Sequence, residues 1–108
     1  MGKLTQEMEL SVRSLCADYD RRAGVIRRGG TTRLTAALEV LQDIVDDALA
    51  EVYVRTQIFS PDFGRIMRTD IADCRGYTRS PLSGLMSEGT YKKYKRLAKE
   101  EIAKKYGF

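Results

Sequence analysis

Leu34, Leu38, Leu41, Val45, Ala48 and Val52 recur at spacings of 4, 3, 4, 3 and 4, the rhythm of a heptad seam. That rhythm commits residues 34–54 to one long helix, because a period near 3.6 returns these side chains to one face. Ala37, Val40, Ile44 and Leu49 lay a second stripe beside the first. So wide an apolar arc exceeds what one neighbouring helix covers. The helix is therefore expected to be the centre of the domain, or to face a second copy of the chain through residues 34–52. The seam runs for fewer than three heptads, too short to make a coiled coil by itself.

The remaining segments read as its packing partners. Met8, Val12, Leu15 and Tyr19, with Cys16 and Ala23, give an amphipathic helix over residues 4–25. Arg27-Arg28-Gly29-Gly30 breaks it, and Thr31 or Thr32 is placed to cap the long helix. Ser60-Pro61 ends the long helix and opens a third over residues 61–74, with Phe63, Ile66, Met67, Ile71 and Cys74 on one side. Ser80-Pro81 starts a short helical turn over residues 81–86. Ser87 caps a last helix over residues 88–106, which Gly107 terminates. The expected fold is all-α: a small bundle of four to five helices with a long central helix and a C-terminal basic, helix-turn-helix-like helix. At 108 residues it is one domain. Residues 1–60 form its packing and dimerisation part, and 61–108 its basic part.

Charge separates those two parts. Residues 1–60 hold 8 Lys and Arg against 9 Asp and Glu, a net of −1; residues 61–108 hold 11 against 6, a net of +5. A basic excess confined to one segment points that segment at a polyanion.

Enzymatic chemistry has little to work with. The chain lacks histidine, and its two cysteines, Cys16 and Cys74, stand 58 positions apart. They cannot build a four-ligand zinc site, and neither thiol has an imidazole to activate it. Both are expected to be reduced and set among apolar neighbours. Asp43, Asp46, Asp47 and Glu51 read as a solvated acidic face, and the Gly29-Gly30 pair as an interhelix turn without the pattern of a phosphate loop. The expectation is a non-enzyme with no cofactor, no metal and no small-molecule substrate. No stretch approaches the ~18–20 apolar residues of a membrane span, and the N-terminal residues lack the apolar core of a signal peptide. No membrane partner and a cytoplasmic location are expected.

The last helix carries the chemistry. Tyr91, Tyr94, Ala98 and Ile102 fall within about one-quarter of a helical wheel, and Lys92, Lys93, Arg96 and Lys99 occupy the opposite face. A recognition helix offers its first residues to base edges while flanking cations neutralise phosphates. Ser87 and Thr90 supply hydroxyls, Glu88 can accept from cytosine N4, and Lys93 can reach guanine. Gly89 costs roughly 1 kcal/mol of helix propensity and would let the backbone come close to a ligand.

The segment from Met86 to Gly107 resembles the C-terminal helix of ArpU/RinA-type phage transcriptional regulators. Their helix has the form Ser-x-x-Thr-apolar-x-basic-apolar-x-basic-x-Ala, related to region 4 of sigma factors. Ser87, Thr90, Tyr91, Lys93, Tyr94, Arg96 and Ala98 occupy the matching positions. The resemblance implies a phage- or prophage-encoded DNA-binding regulator. That family sets a full helix directly before the turn. Here Ile71-Ala72 is separated from Ser87 by a longer stretch containing Pro81, so either residues 81–86 serve as the first helix or the motif is degenerate. The DNA-contacting set is thus expected to be Ser87, Glu88, Thr90, Lys92, Lys93, Arg96 and Lys99. The rival expectation is a non-enzymatic assembly adaptor, such as a phage morphogenesis component, whose basic helix binds an acidic protein surface.

Overall fold

The computed structural model describes residues 4–29, 33–56 and 60–108. Its elements are α1 (Gln6–Ala17), α2 (Tyr19–Gly29), α3 (Arg33–Thr56), α4 (Phe63–Ala72), 3-10 turns at Tyr77–Arg79 and Pro81–Gly84, and α5 (Glu88–Tyr106). None of the described residues lies in a strand, so the fold is an all-α bundle around a long helix. The expected cap at Thr31 or Thr32 lies outside the described residues.

The first expected helix is two. α1 stops at Asp18; α2 packs along α3, while α1 packs on α4 and α5. Two arginines stand beside the break. Arg21 pairs with Asp18 at 3.1 Å. Arg22, buried, donates to the Leu15 carbonyl and, at 2.6 Å, to Gln42 Oε1 of α3. Gln42 in turn donates to the Tyr19 carbonyl at 3.0 Å, and the Tyr19 hydroxyl donates to Asp46 at 2.7 Å. Apolar periodicity could not show this break, because the groups beside it are polar. Gly29, read as part of a helix breaker, is the last residue of α2. A Cβ there would stand 2.9 Å from the Thr35 side chain, so its small size lets the two helices close up.

α3 uses its seam unevenly. Val45, Ala48, Leu49 and Val52 are buried among Val12, Leu15 and Cys16 of α1, Phe63, Met67 and Ile71 of α4, and Ala98, Ile102 and Ala103 of α5. Leu38 and Leu41 are half-buried, and Leu34 and Val40 are 62% and 59% exposed. The expectation that the whole seam over residues 34–52 faces a partner is therefore corrected: its C-terminal half is filled by the chain's own helices.

α4 is shorter than expected, and Cys74 does not join its apolar side. After Ala72 the Arg75 N–H bonds back to the Asp70 carbonyl and the Cys74 N–H to that of Ile71, a Schellman-type stop. It places Cys74 in the left-handed region at φ 54°, turning its side chain outward, where it is exposed rather than set among apolar neighbours. Cys16 is buried, its thiol pushed up to about 12 by desolvation, and neither cysteine forms a disulfide. Iodoacetamide should therefore label Cys74 in the native protein and Cys16 only on unfolding, as peptide mass spectrometry would show; equal labelling of both would contradict this packing.

The core can be tested by contrast. Met67 is fully buried and Leu85 is 59% exposed. Met67→Ala should cost about 2–5 kcal/mol and Leu85→Ala less than about 0.5 kcal/mol, read from urea midpoints at unchanged m-value.

Candidate nucleic-acid interface

α5 forms because each of its ends is chemically closed and one of its faces is needed inside. Ser87 Oγ accepts from the Thr90 N–H at 3.3 Å, and Gly107 ends the helix in the left-handed region. Tyr91, Ala98 and Ile102 are buried, and Tyr94 and Leu97 pack half-buried against the core. With that face fixed inward, Lys92, Lys93 and Arg96 project into solvent from the other. The wheel assigned these positions correctly.

The seven expected contact residues are not equivalent. Lys93 is exposed and makes no ion pair among the described residues. Lys92 pairs with Glu88 at 3.2 Å and Arg96 with Glu100 at 3.9 Å, both along the helix. Such exposed pairs hold side chains by only about 0.3–0.5 kcal/mol, which a phosphate can displace. Lys99 sits at the edge of the face, only 28% exposed in its side chain, and reaches Glu9 of α1 at 3.5 Å. Ser87 is spent on the helix start: its hydroxyl donates to Thr90 Oγ1 at 2.9 Å while it caps the helix, and Thr90 keeps its own O–H to donate. Glu88 is exposed at the helix start. Around Gly89 no atom lies within 4 Å of where a Cβ would stand, so the fold itself does not require a glycine there.

Three further cations belong to the C-terminal segment and count toward its +5. Arg75 and Arg79 lie on the connection before α5, and Lys95 lies on α5 itself. Lys95 is turned inward. Its ammonium donates to the Arg75 carbonyl, and burial, with the nearby Lys99 charge, pulls its pKa down. The Tyr91 hydroxyl donates to the buried carboxylate of Asp70 at 2.9 Å and to the same Arg75 carbonyl at 3.3 Å. Tyr77 packs edge-on against Tyr91 and donates to the carbonyls of Ser83 and Met86. The connection is thus bound to α5 through two tyrosines and a lysine, and it carries Arg79 exposed and free of ion pairs among the described residues. Polar tethering of this kind leaves no periodic trace in a sequence.

The geometry before α5 differs from a helix-turn-helix unit. There a turn of 3–4 residues joins two full helices. Here fifteen residues, 73–87, separate α4 from α5, and the element next to α5 is a single 3-10 turn of four residues. Residues 81–86 supply only the 3-10 turn Pro81–Gly84 and no first helix of ordinary length, which leaves the second alternative, a degenerate motif.

Elsewhere, no group of three or more cysteine or acidic side chains converges as a metal site would need among the described residues. On the acidic face of α3, Asp46 is taken by Tyr19, and Glu51 by Arg55 and Lys105. No described helix is long and apolar enough to cross a membrane. Scans against protein-family models, curated proteins and solved structures return no match for this chain.

The Tyr91 tether yields a stability test. Burial first, and then the hydrogen bond to Asp70, raise the Tyr91 pKa. A raised pKa favours the neutral phenol in the folded state, so this contribution is present below about pH 10 and is lost as pH climbs through the folded value. Tyr91→Phe should cost about 1–3 kcal/mol at neutral pH by leaving Asp70 without its donor. It should also flatten the alkaline decline in stability, followed by urea unfolding between pH 8 and 11.

Proposed function

We propose that this chain is a non-enzymatic DNA-binding protein of the phage-regulator kind, meeting duplex phosphates with the outer face of α5. One observation carries the reading: Lys92, Lys93 and Arg96 stand in solvent on a helix whose opposite face is locked into the core. Cations on a fixed lattice of helical spacings neutralise successive phosphates and release counterions, the main source of affinity for DNA. The exposed Arg79 on the tethered connection adds to the same field. Base reading falls to Glu88, Lys93 and the O–H of Thr90, since the Ser87 hydroxyl is engaged in the cap and with Thr90. Gly89 leaves the backbone open to close approach. The protein acts in this reading as a cytoplasmic homodimer, joined through the uncovered part of α3.

The rival reading, an assembly adaptor on an acidic protein surface, is favoured by one feature. Glu88 and Glu100 interleave the cations, giving a mixed pattern that suits a protein partner better than a uniform polyanion.

Salt dependence separates the two. Lys93→Ala and Arg96→Ala should each weaken binding to any duplex and each reduce the slope of log K against log salt by about 1. Lys99→Ala should change it less, because Lys99 is held by Glu9. Substituting Glu88 should instead alter which sequence is preferred, by roughly 1–3 kcal/mol. If a folded variant with Lys92, Lys93, Arg96 and Lys99 all changed to Ala binds duplex DNA as the wild type does, the regulator reading fails in favour of the adaptor.

A further inference from the structure

Among the described residues, the N-terminal half of α3 is covered on one side and largely open on the other. Thr35, Gln42 and Asp46 turn toward α2, which buries Thr35 and Gln42 and bonds to Gln42 and Asp46. On a wheel of 100° per residue, Leu34, Ala37, Val40, Leu41 and Ile44 lie on the opposite side. There Leu34, Ala37 and Val40 are exposed, and Leu41 and Ile44 are half-buried. The bare stripe continues into a groove of about 380 Å³ whose apolar lining is Leu10, Leu15, Leu41 and Tyr106. Leu10 and Tyr106 are 56% and 44% exposed. Glu7, Ser11, Ser14, Asp18 and Arg22 line the rest of that groove, so the apolar patch is the exposed stripe itself with Leu10 and Tyr106 at its end. Exposed apolar groups gathered in this way mark an interface.

Its charges say what covers it. Arg33, Val40 and Asp47 are spaced seven residues apart and so form one line along the edge of the stripe. All three are exposed, and neither Arg33 nor Asp47 makes an ion pair among the described residues. The line reads cation, apolar, anion, with the apolar residue at its midpoint. A partner of uniform charge would gain at one end and be repelled at the other. A second copy laid antiparallel about a two-fold axis near Val40 satisfies both ends, because the same edge of each helix meets across such an axis. Arg33 then faces Asp47 of the other copy, and Asp47 faces its Arg33, about 21 Å apart along the helix.

We infer that α3 pairs with α3 of a second copy in antiparallel register about Val40, clasped at each end by an Arg33–Asp47 ion pair. This rests on the homodimer reading given above and specifies its geometry. A parallel arrangement is disfavoured by the same line, since it sets Arg33 against Arg33 and Asp47 against Asp47.

The experiment is a charge exchange read by sedimentation equilibrium of the full chain, with circular dichroism confirming that each variant is folded. Both positions are exposed, so the substitutions leave the core untouched. Arg33→Asp and Asp47→Arg should each weaken the dimer by about tenfold, because each turns two attractions into two repulsions. The double variant Arg33→Asp with Asp47→Arg should return dimerisation to near the wild-type level, and the single-variant losses should shrink in high salt. A wild-type chain that stays monomeric at several hundred micromolar overturns the homodimer reading and the register together. A stable dimer indifferent to the single changes, or not restored by the exchange, leaves the homodimer standing and overturns the antiparallel clasp.

Discussion

A 24-residue helix has to be sheltered by four shorter ones, and they shelter only part of it. α3 is about 36 Å long. α1, α4 and α5 converge on Val45, Ala48, Leu49 and Val52, and that convergence is the core. Every other placement follows from it. α4 is drawn in through Phe63, Met67 and Ile71, and α5 through Ala98, Ile102 and Ala103. α2 has no place left around that half. It starts after Asp18 and lies along the other end of α3, where it offers polar groups rather than an apolar stripe. The buried Arg22–Gln42 contact is the outcome: a hydrogen-bonded seam where a second apolar layer would otherwise stand.

The same geometry explains which cations of α5 reach solvent. Lys95 shows the rule by exception. It shares α5 with Lys92, Lys93 and Arg96, yet its position on the wheel brings it over the edge of the core. There the Arg75 carbonyl takes its ammonium and the Tyr91 ring lies 5.9 Å from it. Its charge fastens the connection instead of facing solvent. Orientation relative to the buried face, and not residue type, decides which lysines are available to a partner.

Much of this was legible in the chain itself, and what was not has a common physical origin. The seam of α3, the Ser87 cap, the span of α5 and the turn opened by Pro81 all follow from local rules of spacing and capping. The break at Asp18 escaped because Tyr19 continues the apolar periodicity straight through it. The turn at Tyr77–Arg79, the outward Cys74 and the inward Lys95 escaped because they depend on hydrogen bonds between positions that one element's pattern does not relate. Lys99, expected on the outer face, stands at its edge against Glu9 of α1, and a wheel cannot see a neighbour. In the candidate site, then, each residue's position on the helix was readable, whereas its engagement with others was not.

The tethering of α5 also sets the thermodynamic character of anything that docks on it. The helix is complete before an encounter: capped by Ser87, closed at Gly107, and anchored through Tyr91 to a buried carboxylate of α4. A ligand meeting Lys93 and Arg96 has no backbone to order, so the conformational entropy it costs is that of the side chains alone. The reciprocal holds too. Because α5 unfolds only with the core it lines, occupancy of its outer face would raise the melting temperature of the whole chain and not of one segment. Association in such an arrangement resembles the docking of a rigid tool, with heat-capacity changes set by the contact surface alone.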